Sequence, residues 1–87
     1  MTTKTKTPKC ETTEYAGMLR RMIRAYGRRV GDADVEDLAT MLDLQRELDA
    51  AIQSAVDAQR EQHGRSWADI ARATGTSRQA AQKKYSA

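Results

Sequence analysis

From Glu14 onward apolar residues recur at helical spacing, and before it they are almost absent. Residues 1–13 are mostly Thr and Lys, too polar to offset the entropy of ordering them, which predicts a disordered basic tail. Tyr15, Met18, Leu19, Met22, Ile23 and Tyr26 then follow at steps of three and four, one stripe of an α-helix. Thr12 or Thr13 can cap its start, and Gly27 and Gly31 weaken its end. Gly31-Asp32-Ala33-Asp34 reads as a turn, with Asp34 as N-cap and Glu36 and Asp37 set against the positive helix end. A second helix is predicted to run to Gln62 through Leu38, Met41, Leu42, Leu48, Ala51, Ile52, Ala55 and Val56, with Val35 and Leu44 broadening the stripe. Twenty-eight or so residues make a rod of roughly 40 Å at 1.5 Å per residue. That is longer than the core of so short a chain. The first helix folding back as a hairpin covers part of the stripe, and a second copy covers the rest. The 34–62 helix is therefore the expected homodimerisation element; a helix broken near Gln45 in a monomer is the alternative.

His63-Gly64 ends that helix, with Gly64 in the left-handed position just past the last turn. Beyond it the pattern shortens. Ser66 followed by Asp69 is a cap with a nearby acid at a helix start. Trp67, Ile70, Ala71 and Thr74 form the inner face of about two turns. Gly75 stands where the chain must turn with positive φ. Thr76-Ser77-Arg78-Gln79 has capping-box form, Thr76 as cap and Gln79 reaching back, and a second short helix follows over Ser77–Tyr85. Two short helices joined by a tight glycine turn form a helix-turn-helix unit, with Ala71 small enough for a close crossing. Ala80, Ala81 and Tyr85 are expected inward or at the edge of the packing.

Composition agrees with an all-α chain. Among 87 residues there is no Phe and a single proline, Pro8, so nothing downstream breaks a helix. A chain of this length supports one modest core, for which a partner subunit often supplies what is missing. Cys10 has no second cysteine to pair with, and His63, the sole histidine, has no companion ligand; neither a disulfide nor a metal is expected. No apolar run approaches a membrane span and no apolar segment follows Met1, so a cytoplasmic protein is expected. With no phosphate loop, metal cluster or nucleophile–base pair, neither an enzyme nor a cofactor is expected.

Charge changes the picture more than composition does. The net +3 divides sharply along the chain. Residues 14–31 carry Arg20, Arg21, Arg24, Arg28 and Arg29 against Glu14, a net +4. Residues 32–62 hold nine acids against Arg46 and Arg60, a net −7. Residues 63–87 return to +4. Basic ends around an acidic middle assign different jobs to different faces. The basic 1–13 tail suits phosphates, and the acidic helix suits a basic protein partner.

At the mouth of a major groove, Arg can bond guanine and Gln can bond adenine on their exposed edges. Arg78 and Gln79 stand at the start of the last helix, with Gln82 and Lys83 one turn on. Ser77, Lys83, Lys84 and Arg72 are placed to bond phosphates, and Arg65 and Ser66 stand within reach of the backbone. The run Ser66–Tyr85, SWADIARATGTSRQAAQKKY, resembles the helix-turn-helix of small actinobacterial and phage DNA-binding proteins. It is also similar to that of sigma-factor region 4 and of many repressors, with Ala71 and Gly75 at the small-residue and turn positions. The resemblance spans about a quarter of the chain and implies Ser77, Arg78, Gln79, Gln82 and Lys83 as DNA-facing positions. It departs at Lys84, where those proteins usually carry an apolar residue.

The architecture expected is a 1–13 tail, a 14–62 helical hairpin with a long central helix, and a 63–87 helix-turn-helix. The function expected is sequence-specific binding of double-stranded DNA by a dimeric transcriptional regulator on the nucleoid. A protein-binding helical adaptor, or an architectural or phage-packaging DNA protein with little base preference, are the alternatives.

Overall fold

In a computed structural model the backbone is described for residues 8–86 and side chains for residues 11–86. The first seven residues of the expected tail, and the side chain of Cys10, lie outside the described residues. Those described form four helices and no strand: α1 Pro8–Gly31, α2 Asp37–His63, α3 Trp67–Thr74 and α4 Arg78–Tyr85. None is long and apolar enough to cross a membrane. Two units divide the chain, Met1–Thr40 and Met41–Ala87.

In the first unit, α1 begins at Pro8 and not at Glu14, so residues 8–13 are helix where a tail was expected. Proline suits a first turn, where its missing N–H has no acceptor to lose and its φ is already helical. Glu11 adds an acid to that turn, favourable against the positive end of the helix. Thr12 and Thr13 accordingly lie inside the helix and do not cap it. Gly27 is carried through, and the helix ends at Gly31. Val30 is its buried residue, at 7% exposure, whereas the stripe from Tyr15 to Ile23 stays between 40% (Met18) and 61% (Tyr15) exposed.

The link to α2 is built from tight i→i+3 turns. Asp32 and Ala33 N–H groups donate to the Arg29 and Val30 carbonyls, and those of Asp37 and Leu38 to the Asp34 and Val35 carbonyls, all at 3.0–3.2 Å. Asp34 thus enters through its backbone carbonyl, and α2 starts two residues later than a cap at Asp34 would place it. The helix then runs unbroken to His63, with no interruption near Gln45. Gly64 closes it at φ +64°, the left-handed conformation that costs glycine least.

The second unit holds a small core. Val56 of α2, Ile70 and Ala71 of α3 and Ala81 of α4 are buried, with Trp67 and Tyr85 packed against them. Ala81 is fully enclosed, and α3 packs on α4. Two alanines in the shared core let the short helices approach closely. The end of α2 braces the pair. The Gln53 side-chain amide donates to the Tyr85 carbonyl at 2.7 Å, and the Arg60 guanidinium lies 4.1 Å from the Trp67 ring centroid, a cation–π contact.

Candidate nucleic-acid interface

The site is built from two caps and a glycine turn. At the start of α3 the Asp69 N–H donates to Ser66 Oγ at 3.1 Å, and the Ser66 N–H donates to Asp69 Oδ2 at 3.0 Å. Ser66 and Asp69 therefore form a reciprocal capping box, which satisfies two donors that a helix start leaves open. These bonds hold the Asp69 carboxyl below the usual carboxylate range, first through the Ser66 backbone N–H and then through Arg72. A carboxyl lowered by folding stabilises the fold at pH values above its unfolded range, and that contribution disappears as acid titrates the folded group. Wild type should therefore melt above Asp69→Asn at neutral pH, with the gap closing in acid. Thermal melts followed by circular dichroism across a pH series check this, and a gap independent of pH would count against it.

At the other end of α3, Gly75 adopts φ +72°. The N–H groups of Gly75 and Thr76 both donate to the Ala71 carbonyl, the closure typical of a left-handed C-cap. Thr74 is exposed, not inward, and its hydroxyl bonds back to the Ile70 carbonyl at 2.7 Å. Thr76 therefore belongs to the closure of α3, and the cap of α4 passes to Ser77. Ser77 Oγ accepts from the Ala80 N–H at 3.0 Å. This corrects the expected Thr76 cap. With Ser77 as cap, Ala80 stands third in the helix and Gln79 second, so the Gln79 side chain is not the one that reaches back. α4 itself starts at Arg78.

On α4 the buried face is Ala81, with Tyr85 half-buried beside it, while Ala80 is exposed. Arg78, Gln79, Gln82, Lys83 and Lys84 are all exposed. At about 100° per residue, Arg78, Gln82, Gln79 and Lys83 spread across roughly 140° of the helix surface. The structure thus brings these four together on one outward face. Lys84 falls on the other side of the core face; its ammonium lies 5.5 Å from the Tyr85 ring. Tyr85 is the residue that packs on the core, which accounts for a lysine where an apolar residue was expected.

The α2–α3 end supplies the remaining candidates, all exposed. Arg72 pairs with Asp69 at 2.5 Å, so its charge is partly matched. The Arg65 guanidinium donates to Gln59 at 3.3 Å, and its carbonyl accepts from Arg60 at 2.9 Å. Ser66 already accepts a bond in its capping box and has its hydroxyl proton left to donate. An open groove of about 550 Å³ lies between α2 and α3, with Ile52, Ala55, Ile70 and Ala73 among its lining and Arg65 and Arg72 beside them. Sequence reasoning missed this groove and the bracing by Gln53 and Arg60, because both depend on residues far apart in the chain.

α3 and α4 begin differently. α3 carries Asp69 in its first turn, where it complements the positive helix end; the first turn of α4 holds no acid and starts with Arg78. A cation there opposes the helix dipole by about 0.3–1 kcal/mol. Its end is accordingly positive through both backbone and side chain, an arrangement complementary to an anion. Among the described residues no cluster of His, Cys, Asp or Glu could hold a metal. The chain matches no protein-family model, no curated protein and no solved structure.

Proposed function

We propose that the chain is a sequence-specific double-stranded DNA-binding protein, a transcriptional regulator acting as a dimer on the nucleoid in the cytoplasm. In this reading α3 and α4 are a helix-turn-helix preceded by an N-terminal helical hairpin, and the Ser77–Tyr85 segment enters the major groove. Arg78, Gln79 and Gln82 read base edges. Ser77, Lys83 and Lys84 bond phosphates, with Arg72, Arg65 and Ser66 at the margin. The work is binding and not catalysis, with no cofactor.

The observation that carries this reading is the first turn of α4. It is an exposed, acid-free helix start, led by Arg78 and capped by Ser77, on a helix held by a buried alanine. A local rule broken at an exposed position is commonly a functional feature. The resemblance of Ser66–Tyr85 to known helix-turn-helix segments points the same way.

The test is fluorescence anisotropy on a duplex selected from a random library and on its scrambled counterpart, across a salt series. Tighter binding to the selected duplex, weakening with salt, is the expected outcome. Absence of binding at low salt overturns the reading, and equal binding to both duplexes replaces it with a DNA protein of little base preference.

A further inference from the structure

The apolar face of α2 changes character along its length. At Val56 it is closed by Ile70, Ala71 and Ala81. From Leu38 to Ile52 the same face is open, with Leu38, Leu42, Leu44 and Leu48 each at least half exposed and Ile52 at 39%. α1 presents a matching open stripe from Tyr15 to Ile23. These ten half-exposed side chains leave on the order of 1,000 Å² of accessible surface per chain. A stable dimer needs about 800 Å² from each partner.

Charge selects the pairing. Residues 14–31 carry +4 and residues 32–62 carry −7. Two α1 helices would repel each other, as would two α2 helices, and only α1 against α2 joins opposite signs. The register follows from a charged residue on each stripe. Asp49 stands seven residues after Leu42 and seven before Val56, and Arg29 stands seven after Met22. A seven-residue step returns to the same helix face, and both residues are exposed. A carboxylate covered by an apolar surface needs a cation beside it. Setting α1 parallel to α2 with Met22 against Leu42 sets Arg29 against Asp49.

We infer that the occupant of these stripes is a second copy of the chain, with α1 of each copy lying parallel to α2 of the other and Arg29 paired with Asp49 across the interface. This deepens the dimer part of the reading above and stands or falls without DNA. The test is the mass of the full chain by light scattering and sedimentation equilibrium, without nucleic acid. Wild type is expected at twice the 9.7 kDa chain mass. Arg29→Glu alone and Asp49→Arg alone should each weaken dimerisation about tenfold. Their equimolar mixture should restore it, because both cross-chain pairs in the heterodimer are again opposite in sign. A wild-type chain that remains at 9.7 kDa overturns the inference, since the stripes then close within one chain or stay bare. Singles that dimerise like wild type, or a mixture without rescue, overturn the α1-to-α2 pairing. Anisotropy with the selected duplex is read separately, so loss of DNA binding in a chain that still dimerises counts against the functional reading alone.

Discussion

Arg78→Ala is expected to weaken binding to the selected duplex by about 1–3 kcal/mol, roughly fivefold to more than a hundredfold, and to relax the base preference at one position. Arg78 opens α4, is exposed, and stands at the end of the helix where no acid competes for it. A bidentate contact to guanine loses both bonds when the guanidinium is removed. Lys83→Ala should behave differently. Removing a phosphate contact lowers affinity for selected and scrambled duplexes alike and reduces the salt slope by about one. Anisotropy titrations of the two variants against a panel of single-base duplexes separate these outcomes. A uniform loss for Arg78→Ala would make it a phosphate contact, and no loss would remove it from the interface. Arg72→Ala is the control of smaller effect, because its guanidinium is already paired with Asp69.

Ile70→Ala should cost about 2–5 kcal/mol of unfolding free energy, the range for deleting a large buried aliphatic side chain. Ile70 is 6% exposed and is the largest of the four buried residues joining α2, α3 and α4. Its neighbours Ala71 and Ala81 have no side-chain length with which to fill the space left behind. Against a total of about 5–15 kcal/mol for ordinary domains, that loss is a large fraction of what holds the second unit together. Urea unfolding followed by circular dichroism measures it, and Ile70→Val should lose only about 0.5–1.5 kcal/mol. DNA affinity should fall with stability in Ile70→Ala, since α4 would no longer be held by the core. A variant of wild-type stability would show that α3 is held mainly by its caps and by the Arg60–Trp67 contact.

Much of the local chemistry around α3 was legible because it depends on near neighbours. The Ser66 cap with Asp69 beside it and the positive-φ glycines at 64 and 75 are short-range features that appear as the residues predict, although the bond closing the box, from the Ser66 N–H to Asp69, goes beyond that reading. The cap of α4 was not legible. Thr76 and Ser77 are both good capping residues, and the choice rests on the Thr76 N–H bonding back to Ala71 as α3 closes. The start of α1 was misjudged for a different reason. Residues 8–13 carry no apolar repeat at helical spacing, so periodicity is silent there, yet Pro8 and Glu11 both suit a first turn.

The four helices, their approximate lengths and the outward set Arg78, Gln79, Gln82 and Lys83 follow from spacing along the chain, since a helix fixes which residues share a face. Spacing does not say which faces are covered. Tyr15, Leu42 and Val56 all lie on helical stripes, but only Val56 is buried, because α3 and α4 supply partners for that one turn of α2. Tyr85 rather than Lys84 packs on the core, and Gln53 and Arg60 reach across to α4 and α3, for the same reason. Burial and long-range bonds are properties of what stands opposite a residue. The order of residues determines the face each helix offers, and the tertiary structure alone decides what meets it.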